Sequence, residues 1–325
     1  MKILLTSTFV TPFITEDLNI LRKHWEVEHL TVRGPGALLA IALAVSRADL
    51  VYTWFASTYA AAAVASARAL RRPAVIALGG ADVAGIPDIG YGIWISPWKS
   101  RCVSYALRNA DRIIAVDPFL KAEAVRWARY DGRNIEVLPT GYDSGFWTPE
   151  GEKAGTVLTV ASCDSDVRLR VKGVDILLEA ARLLPGTRFT LAGIDEPFAA
   201  RLRANAPPNI DIRGKLPREE IRSLYRRAKV YCQPSRFEGL PNAVCEALLC
   251  GCIPVCSDVG GMRTAAGGSG LIVPGGDPRA LASALRQVLE APPADFPSGR
   301  ESIAARFSLE RREEGLVKLI GGLIG

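Results

Sequence analysis

The chain has no apolar run long enough to cross a bilayer. A membrane-spanning helix needs about 20 consecutive apolar residues, whereas the best run, 37–45, reaches only about half that length and is soon followed by Arg47. The apolar start Met1–Phe9 could pass for a signal peptide, but no small-residue cleavage site follows it. We interpret it as a first buried strand. We expect a cytoplasmic protein, with peripheral contact at the inner face of a membrane left open.

The chain also lacks a recognisable zinc pattern. It has seven cysteines, an odd number, and four of them crowd together at 245, 250, 252 and 256. A metal site is one interpretation, but the spacing fits no known zinc motif. The interpretation we favour is that these cysteines are small buried apolar residues on a helix and the strand after it. No metal site is predicted.

No run of lysine and arginine and no RNA-binding signature is present, which argues against nucleic acid as a partner. The net charge is nevertheless +6, with a pI near 9.0. Such an excess favours anionic partners in general, among them phosphorylated donors and anionic lipid headgroups.

What the chain does have is a regular alternation of strand and helix patterns. A length of 325 residues favours two domains of about 150 residues each. Predicted strands of the first half are 3–7, 27–32, 50–54, 74–78, 112–116 and 135–138, with helices near 16–24, 36–47, 57–71, 98–110 and 118–129. Predicted strands of the second half are 156–161, 189–192, 209–212, 230–233, 253–257 and 271–273, with helices at 173–184, 197–205, 217–228, 241–250 and 277–290. This alternation favours an α/β fold of two doubly wound parallel sheets.

A stretch dense in proline and glycine, 139–151, separates the two halves. We predict a first domain over 1–140, a second over 155–305, and a last helix within 306–325 that crosses back onto the first. Open parallel sheets bind ligands at the carboxyl ends of their strands. Two such sheets facing each other would form one cleft.

Glu238 and Glu246 belong to the most informative segment of the chain. An apolar pattern at helical spacing predicts a helix that begins near Pro241, because proline suits a first helical turn. Glu238 then precedes the helix and Glu246 lies inside it. The backbone N–H groups of 239–242 lie at the positive end of the helix dipole, which suits a phosphate. The pattern favours a ligand that is part diphosphate and part polyhydroxyl.

The segment 235–255, followed by 258–261, resembles the E-x7-E region of family 4 retaining glycosyltransferases. These enzymes have the GT-B architecture of two Rossmann-like domains facing a cleft. The resemblance is specific over most of 139–320, including the proline- and glycine-rich segment that joins the domains, and looser over 1–138. It implies transfer of a sugar from a nucleotide donor with retention at the anomeric carbon.

The resemblance implies roles for the acidic pair and for the loop between its members. Glu246 would accept hydrogen bonds from the donor ribose, and Glu238 would contact the donor sugar near the reacting carbon. A carboxylate suits both roles because it can accept two hydroxyl protons in charge-assisted bonds. The side chain of Asn242, with the backbone at Gly239, Leu240 and Pro241, would complete the phosphate cradle.

A second implied cluster lies at 168–172. Lys172 precedes the predicted helix at 173, where a cation opposes the helix dipole by a few tenths of a kcal/mol unless an anion is bound. In the family an arginine and a lysine hold the leaving diphosphate, and Lys172 with Gly173 matches the lysine. Arg168 and Arg170 are the candidates for the arginine, at shifted spacing in the preceding loop.

The chain departs from the family at Gly79. Relatives carry a histidine in this turn that contacts the donor sugar, whereas here the only histidines are His24 and His29. Asp82 closes the turn and is predicted to contact the donor. Either another group replaces the histidine, or the protein binds the donor without efficient turnover. A further departure is Thr264, where the family often has glutamate.

Two other signals compete with this interpretation. Asp164 and Asp166 form an Asp-x-Asp triplet of the kind that holds a divalent metal in the other large glycosyltransferase fold. The apolar, aromatic segment 89–98 could face a lipid-linked acceptor, or could simply pack on the sheet.

We predict a metal-independent retaining transferase without a cofactor. Its co-substrate would be a UDP- or GDP-sugar, and its acceptor a sugar, a lipid-linked sugar or a small molecule. The alternative is a nucleotide-sugar-binding subunit with little catalysis of its own. The oligomeric state is left open.

Overall fold

A computed structural model describes residues 1–324 of the chain. The chain divides into two units. The first comprises Met1–Gly141 together with Leu309–Gly325, and the second comprises Tyr142–Ser308.

The first unit is built on a parallel six-stranded sheet with the strand order β2-β1-β3-β4-β5-β6. Its strands are β1 (Lys2–Ser7), β2 (Glu26–Thr31), β3 (Leu50–Trp54), β4 (Ala74–Leu78), β5 (Arg112–Ala115) and β6 (Ile135–Val137). Its connecting helices are α1 (Pro12–His24), α2 (Ala37–Val45), α3 (Thr58–Ala69), α4 (Pro97–Asn109) and α5 (Pro118–Ala128). Helices α2 to α5 pack side by side in chain order. Every residue of β3 and β4 is buried, as expected for strands covered on both faces.

The second unit repeats this plan with the strand order β12-β11-β10-β7-β8-β9, again all parallel. Its strands are β7 (Ala154–Cys163), β8 (Arg188–Ile194), β9 (Ile210–Ile212), β10 (Ala228–Gln233), β11 (Ile253–Ser257) and β12 (Leu271–Val273). Its helices are α6 (Asp166–Val171), α7 (Val174–Leu183), α8 (Glu196–Arg203), α9 (Arg218–Arg227), α10 (Asn242–Leu249), α11 (Met262–Ala266), α12 (Pro278–Glu290) and α13 (Gly299–Arg306). The predicted pair of doubly wound parallel sheets is confirmed.

Three short helices, α6, α11 and α13, were not predicted, and α6 corrects the placement of two site candidates. Arg168 and Arg170 lie on this helix and not in a loop. The Ser165 side chain caps it by accepting a hydrogen bond from the Arg168 backbone N–H at 3.3 Å. Leu169 and Val171 bury its apolar side. Six residues are too few to show a helical period in the sequence.

The last helix, α14 (Leu309–Ile324), belongs to the first unit, where a buried ion pair holds it. Arg312 donates from Nη2 to Asp17 Oδ2 at 2.7 Å and from Nε to Asp17 Oδ1 at 2.9 Å. Asp17 Oδ2 also accepts from Tyr52 Oη at 2.7 Å and from Trp54 Nε1 at 3.0 Å. Burial raises the pKa of Tyr52, so its hydroxyl stays protonated as a donor. Because Asp17 and Arg312 are both buried, removing either one would leave the other as an unpaired charge in the core.

Over residues 1–324, no helix combines the length and the apolar character that a membrane crossing requires.

Candidate functional site

The centre of the candidate site in the second unit is an ion pair between Lys172 and Glu238. Lys172 Nζ lies 2.6 Å from Glu238 Oε1, and the two side chains are 20% and 10% exposed. Lys172 caps the carboxyl end of α6, and Glu238 lies in the loop between β10 and α10. The sequence named both residues, but assigned them to separate parts of a ligand. The structure shows that they contact each other directly.

Gly173 brings these two segments together. It has φ of 66°, and a Cβ at this position would lie 1.9 Å from the carbonyl oxygen of Pro234. Only glycine tolerates both conditions. The contact is secured by the backbone N–H of Arg236, which donates to the Val171 carbonyl at 2.7 Å. Lys172 is therefore held against the loop that carries Glu238.

Three donors converge on Glu238 Oε1. Besides Lys172, Gln233 Nε2 donates to it at 2.9 Å and Ser235 Oγ at 2.7 Å. Within the described part of the chain these side-chain bonds all use Oε1, which leaves Oε2 available to accept from a ligand hydroxyl. Three donors on one oxygen fix the orientation of this carboxylate.

Gln233 and Ser235 are site residues that sequence reasoning missed. Tyr231 Oη donates to Gln233 Oε1 at 2.6 Å, which directs the Gln233 amide nitrogen towards Glu238. Ser257 Oγ donates to the Ser235 carbonyl at 2.5 Å. The sequence does hold one indication of them: polar residues stand at and just after the end of the apolar strand β10. Ligands bind where parallel strands end.

The Glu238 loop also rests on the turn at 258–261. A Cβ at Gly260, whose φ is 53°, would lie 1.9 Å from the Glu238 carbonyl oxygen. The Gly261 backbone N–H donates to the Gly239 carbonyl at 3.1 Å. Gly260 thus allows the loop to approach closely, and the Gly261 N–H bonds to it. Thr264 lies beyond it on α11, where its carbonyl accepts from Arg306 Nη2 at 2.9 Å.

Of the two candidate arginines, Arg168 lies on the side of Lys172. Residues four apart on a helix share a face, whereas residues two apart do not. Burial raises the pKa of the Cys163 thiol to about 12, and the nearby charges of Lys172 and Arg168 oppose that rise. Both cations therefore lie close to the end of β7. Arg170 is exposed, and its carbonyl accepts from Arg236 Nη1 at 2.6 Å.

Glu246 and Asn242 lie on α10, whose first residue is Asn242 and whose N-cap is Pro241. The predicted start of this helix near 241 agrees with the structure to within one residue. Tyr142 Oη lies 2.6 Å from Asn242 Oδ1. Glu246 accepts from Tyr225 Oη at 3.2 Å. Burial raises its pKa to about 7, and Arg218 and the Tyr225 bond moderate that rise.

In the first unit, Asp82 is a correction to the sequence-based site. It was predicted to contact the donor, but it is buried and its carboxylate accepts hydrogen bonds from three backbone N–H groups. These come from Gly80 at 2.6 Å, Ala56 at 3.0 Å and Gly79 at 3.2 Å. Asp82 therefore shapes its own turn and has no position open to a ligand.

The space that a side chain at position 79 would need is filled by Phe55. A Cβ at Gly79 would lie 2.1 Å from Phe55 Cε1. Phe55 has φ of 69°, a left-handed conformation that a bulky residue rarely adopts. Its ring packs 5.0 Å from Phe9 and 6.2 Å from Phe13 between centroids. The Phe55 ring thus occupies the space that any side chain at position 79 would enter.

Asp164 and Asp166, the two residues of the Asp-x-Asp triplet, have separate surroundings. Asp166 forms an ion pair with Arg201, and Asp164 is exposed. No group of three or more potential metal-binding side chains occurs within residues 1–324. The cysteines of the 245–256 segment are buried thiols, and Cys252 Sγ contacts the carbonyls of Tyr225 at 3.0 Å and Ala228 at 3.3 Å.

The segment 89–98 packs partly on its own unit. Trp94 stacks on Trp127 with ring centroids 5.6 Å apart and donates from Nε1 to the Asp82 carbonyl at 2.9 Å. Trp98 remains 58% exposed. Packing therefore accounts for the first of these tryptophans and leaves the second at the surface.

Comparison with known families and curated proteins covers both halves of the chain. The model described as "Glycosyl transferases group 1" matches residues 155–291, and the one described as "Glycosyltransferase Family 4" matches residues 20–146. The chain is 29% identical over 256 residues to a D-inositol 3-phosphate glycosyltransferase of Mycolicibacterium vanbaalenii, covering 70% of this chain and 56% of that protein. It is 33% identical over 234 residues to the protein of the same name from Geodermatophilus obscurus, covering 64% and 52%. The chain spans about half the length of these curated relatives.

Solved structures agree on the fold. HepE from Anabaena, in complex with UDP and glucose, superposes with a TM-score of 0.80 at 17% identity, covering 99% of this chain and all of that one. Sucrose-phosphate synthase from Thermosynechococcus elongatus superposes with a TM-score of 0.83 at 18% identity, covering 99% of both chains. The predicted GT-B fold is confirmed.

Proposed function

The chain belongs to the glycosyltransferases of family 4, and we propose that it transfers a sugar from a nucleotide-diphosphate sugar to an acceptor hydroxyl with retention at the anomeric carbon. The observation that carries this proposal is the contact between Lys172 and Glu238 at the carboxyl edge of the second sheet. It places a fixed positive charge beside a fixed carboxylate, next to the start of α10.

Lys172 would stabilise negative charge on the departing diphosphate. An ammonium has three N–H donors, and Glu238 occupies one of them. The others would be available to phosphate oxygens. Arg168, on the same face of α6, and the backbone N–H groups of Gly239, Leu240 and Asn242 would add to this stabilisation. Fixed donors placed where charge develops usually contribute more to catalysis than any other effect.

Glu238 and Glu246 would bind the polyhydroxyl parts of the donor. Glu238 Oε2 would accept from a hydroxyl of the transferred sugar, and Glu246 would accept from the ribose. The acceptor hydroxyl would attack from the face that the diphosphate leaves, with the leaving phosphate taking its proton. The proposal includes no side-chain nucleophile.

For the donor we propose a UDP-sugar, with a GDP-sugar as the alternative. HepE, a structural neighbour over nearly the whole chain, has been solved with UDP and glucose. The acceptor would be a sugar, a lipid-linked sugar or a small molecule, and the similarity to D-inositol 3-phosphate glycosyltransferases makes a polyol one candidate. Independence from metal ions is part of the proposal, because Lys172 and Arg168 would supply the positive charge.

A second candidate function is a nucleotide-sugar-binding subunit without efficient catalysis. The observation that favours it is Phe55, whose ring fills the space that a side chain at position 79 would enter and cannot donate a hydrogen bond. This candidate would keep the whole binding site of the second unit and lose only turnover.

Two measurements on one sample test the proposal. A thermal-shift panel of UDP-, GDP- and ADP-sugars identifies the donor, because a ligand of the native state raises its melting temperature. Product analysis with that donor, with and without a chelator, then measures transfer or hydrolysis. Turnover that survives chelation supports a metal-independent transferase. Binding without turnover against any acceptor supports the second candidate, and loss of turnover on chelation would contradict metal independence.

A further inference from the structure

Helix α2 presents an entirely apolar surface to solvent. None of its nine residues, Ala37–Val45, is polar or charged. Ile41, Ala44 and Val45 are buried, whereas Leu38, Leu39 and Leu43 are 57%, 66% and 52% exposed. Single exposed leucines are ordinary in soluble proteins. Three on the outer side of one short helix form a patch, and such patches mark interaction surfaces.

The chain segments that contain α2 and its neighbour α3 are rich in arginine. The segments 32–48 and 55–73, which include α2 and its neighbour α3, contain five arginines and no aspartate or glutamate. These arginines are Arg33, Arg47, Arg68, Arg71 and Arg72. Among residues 1–324, Arg72 pairs with Asp49 at 3.4 Å, just outside these segments, and Asp111 lines the same surface groove as Arg68, Arg71 and Arg72. Arg68 and Arg71 are exposed, and their charge is therefore available to an anionic partner.

The topology places most of these arginines at one end of α2. Helices α2 and α3 pack against each other. Each ends where the next strand of the sheet begins, and these strands, β3 and β4, are paired neighbours. Arg47 follows α2, and Arg68, Arg71 and Arg72 close or follow α3. They therefore gather at one edge of the sheet, near the end of the leucine face, while Arg33 lies just before its start.

We propose that this surface, the α2 leucines with the five arginines, docks onto an anionic lipid bilayer. The leucines would enter the boundary between headgroups and acyl chains, and the arginines would lie against lipid phosphates. A helix of nine residues lies along the interface, because it is far too short to cross. The proposal goes beyond glycosyl transfer, since the surface would bind lipid whether or not the protein turns over a donor.

A second copy of the chain fits this surface poorly. Three leucines, each about half exposed, fall well short of the roughly 800 Å² per partner that a stable protein interface buries. A symmetric pair would also bring two sets of arginines together without counter-charges, which is unfavourable. An anionic bilayer suits both parts of the surface. Its hydrocarbon core, about 30 Å thick, can take up the leucines, and its negative surface charge can pair with the arginines.

Co-sedimentation with vesicles tests the proposal on the full chain. We expect binding to vesicles of phosphatidylcholine with 30% phosphatidylglycerol, and little binding to phosphatidylcholine alone. The triple variant Leu38→Gln, Leu39→Gln, Leu43→Gln should lower the partition coefficient roughly 100-fold. The double variant Arg68→Gln, Arg71→Gln should lower it roughly 20-fold at low salt, at about fivefold per arginine.

Matched controls come from the second unit. Leu183→Gln alters a leucine that is 45% exposed on α7. Arg279→Gln with Arg286→Gln removes two exposed arginines of α12 and gives the same net charge as the arginine double variant. Both controls should bind like the parent protein. Unchanged circular dichroism would show that all variants are folded.

The proposal is overturned if the parent protein does not bind anionic vesicles or binds neutral vesicles equally well. It is also overturned if the control variants lose as much binding as the leucine and arginine variants do. Light scattering provides the remaining check. A dimer that the leucine variant dissociates would show that the surface serves a second copy and not a bilayer.

Discussion

The two units each hold a buried carboxylate in a turn beyond a parallel strand, and the two carboxylates are bonded differently. Glu238 in the second unit accepts from Lys172, Gln233 and Ser235, all through side chains. Asp82 in the first unit accepts from backbone N–H groups. Side-chain donors can rearrange when a ligand arrives, whereas backbone donors are committed to the turn. Glu238 can therefore exchange a protein donor for a ligand, whereas the bonds of Asp82 hold its turn in place.

The comparison extends to the residues beside them. In the second unit Lys172 and Glu238, the lysine and glutamate that the family resemblance singled out, contact each other. In the first unit a side chain at Gly79, where the family resemblance implies a histidine, would overlap the Phe55 ring. We therefore propose that the second unit holds the donor and that the departure at Gly79 bears on turnover.

The largest effect is expected at Lys172. Replacing it by alanine removes the charge proposed to stabilise the leaving diphosphate, so the rate of transfer should fall about 100-fold or more. The matched control is Lys215→Ala, which removes an exposed lysine paired with Asp195 in the same unit. Steady-state kinetics with the donor chosen by thermal shift measures both. Equal activity of the two variants would remove Lys172 from the mechanism.

Neutralising each carboxylate in turn tests whether Asp82 supports stability and Glu238 supports activity. Asp82→Asn places an amide against backbone N–H groups, so we expect a loss of about 2 kcal/mol in the free energy of unfolding. Glu238→Gln removes the charge that faces Lys172, so it should lower the transfer rate by an order of magnitude or more while leaving a folded protein. Chemical denaturation and kinetics on both variants give the comparison. A reversed pattern, with stability lost at 238 and activity lost only at 82, would contradict it.

The packing of Phe55 predicts a steric coupling with position 79. Gly79→His alone should destabilise the protein by about 1–3 kcal/mol, because the added side chain overlaps the Phe55 ring. In a Phe55→Ala background the same substitution should cost much less. A double-mutant cycle by denaturant unfolding measures the coupling energy. Additive effects would show that the ring does not occupy that space in solution.

The smallest effect is expected from the titration of Glu246. Its native pKa of about 7 lies above its ordinary value of 4.5, so the native state binds more protons than the unfolded state between these values. Stability should therefore fall as the pH rises from about 4.5 to 7. Glu246→Gln should abolish that fall and, by about 1–2 kcal/mol, exceed the parent in stability at pH 8.

Thermal melts of the parent and of Glu246→Gln at pH 5 and pH 8 measure this difference. The same ionisation predicts that nucleotide-sugar binding strengthens as the pH rises through about 7, because only the carboxylate can accept from two ribose hydroxyls. Stability curves of the parent and the variant that run parallel across this range would contradict the assignment.

The sequence was sufficient for the architecture because the strands and long helices carry their own periodicity. It also found the residues of the Glu238 to Glu246 segment, where a motif is continuous along the chain. It could not find α6, which is shorter than two helical turns, and so it left Arg168 and Arg170 in a loop. The contacts of Gln233, Ser235 and Phe55 arise between distant segments, and no local pattern encodes them. Asp82 was misassigned for the same reason, since its partner at Ala56 lies 26 residues away.

A crystal structure of the protein soaked with UDP-glucose tests the central claim most directly. We predict the diphosphate within about 3 Å of Lys172 Nζ and of the backbone N–H groups of Gly239, Leu240 or Asn242, with the ribose hydroxyls against Glu246. Nucleotide bound instead to the first sheet, or a diphosphate distant from Lys172, would contradict it.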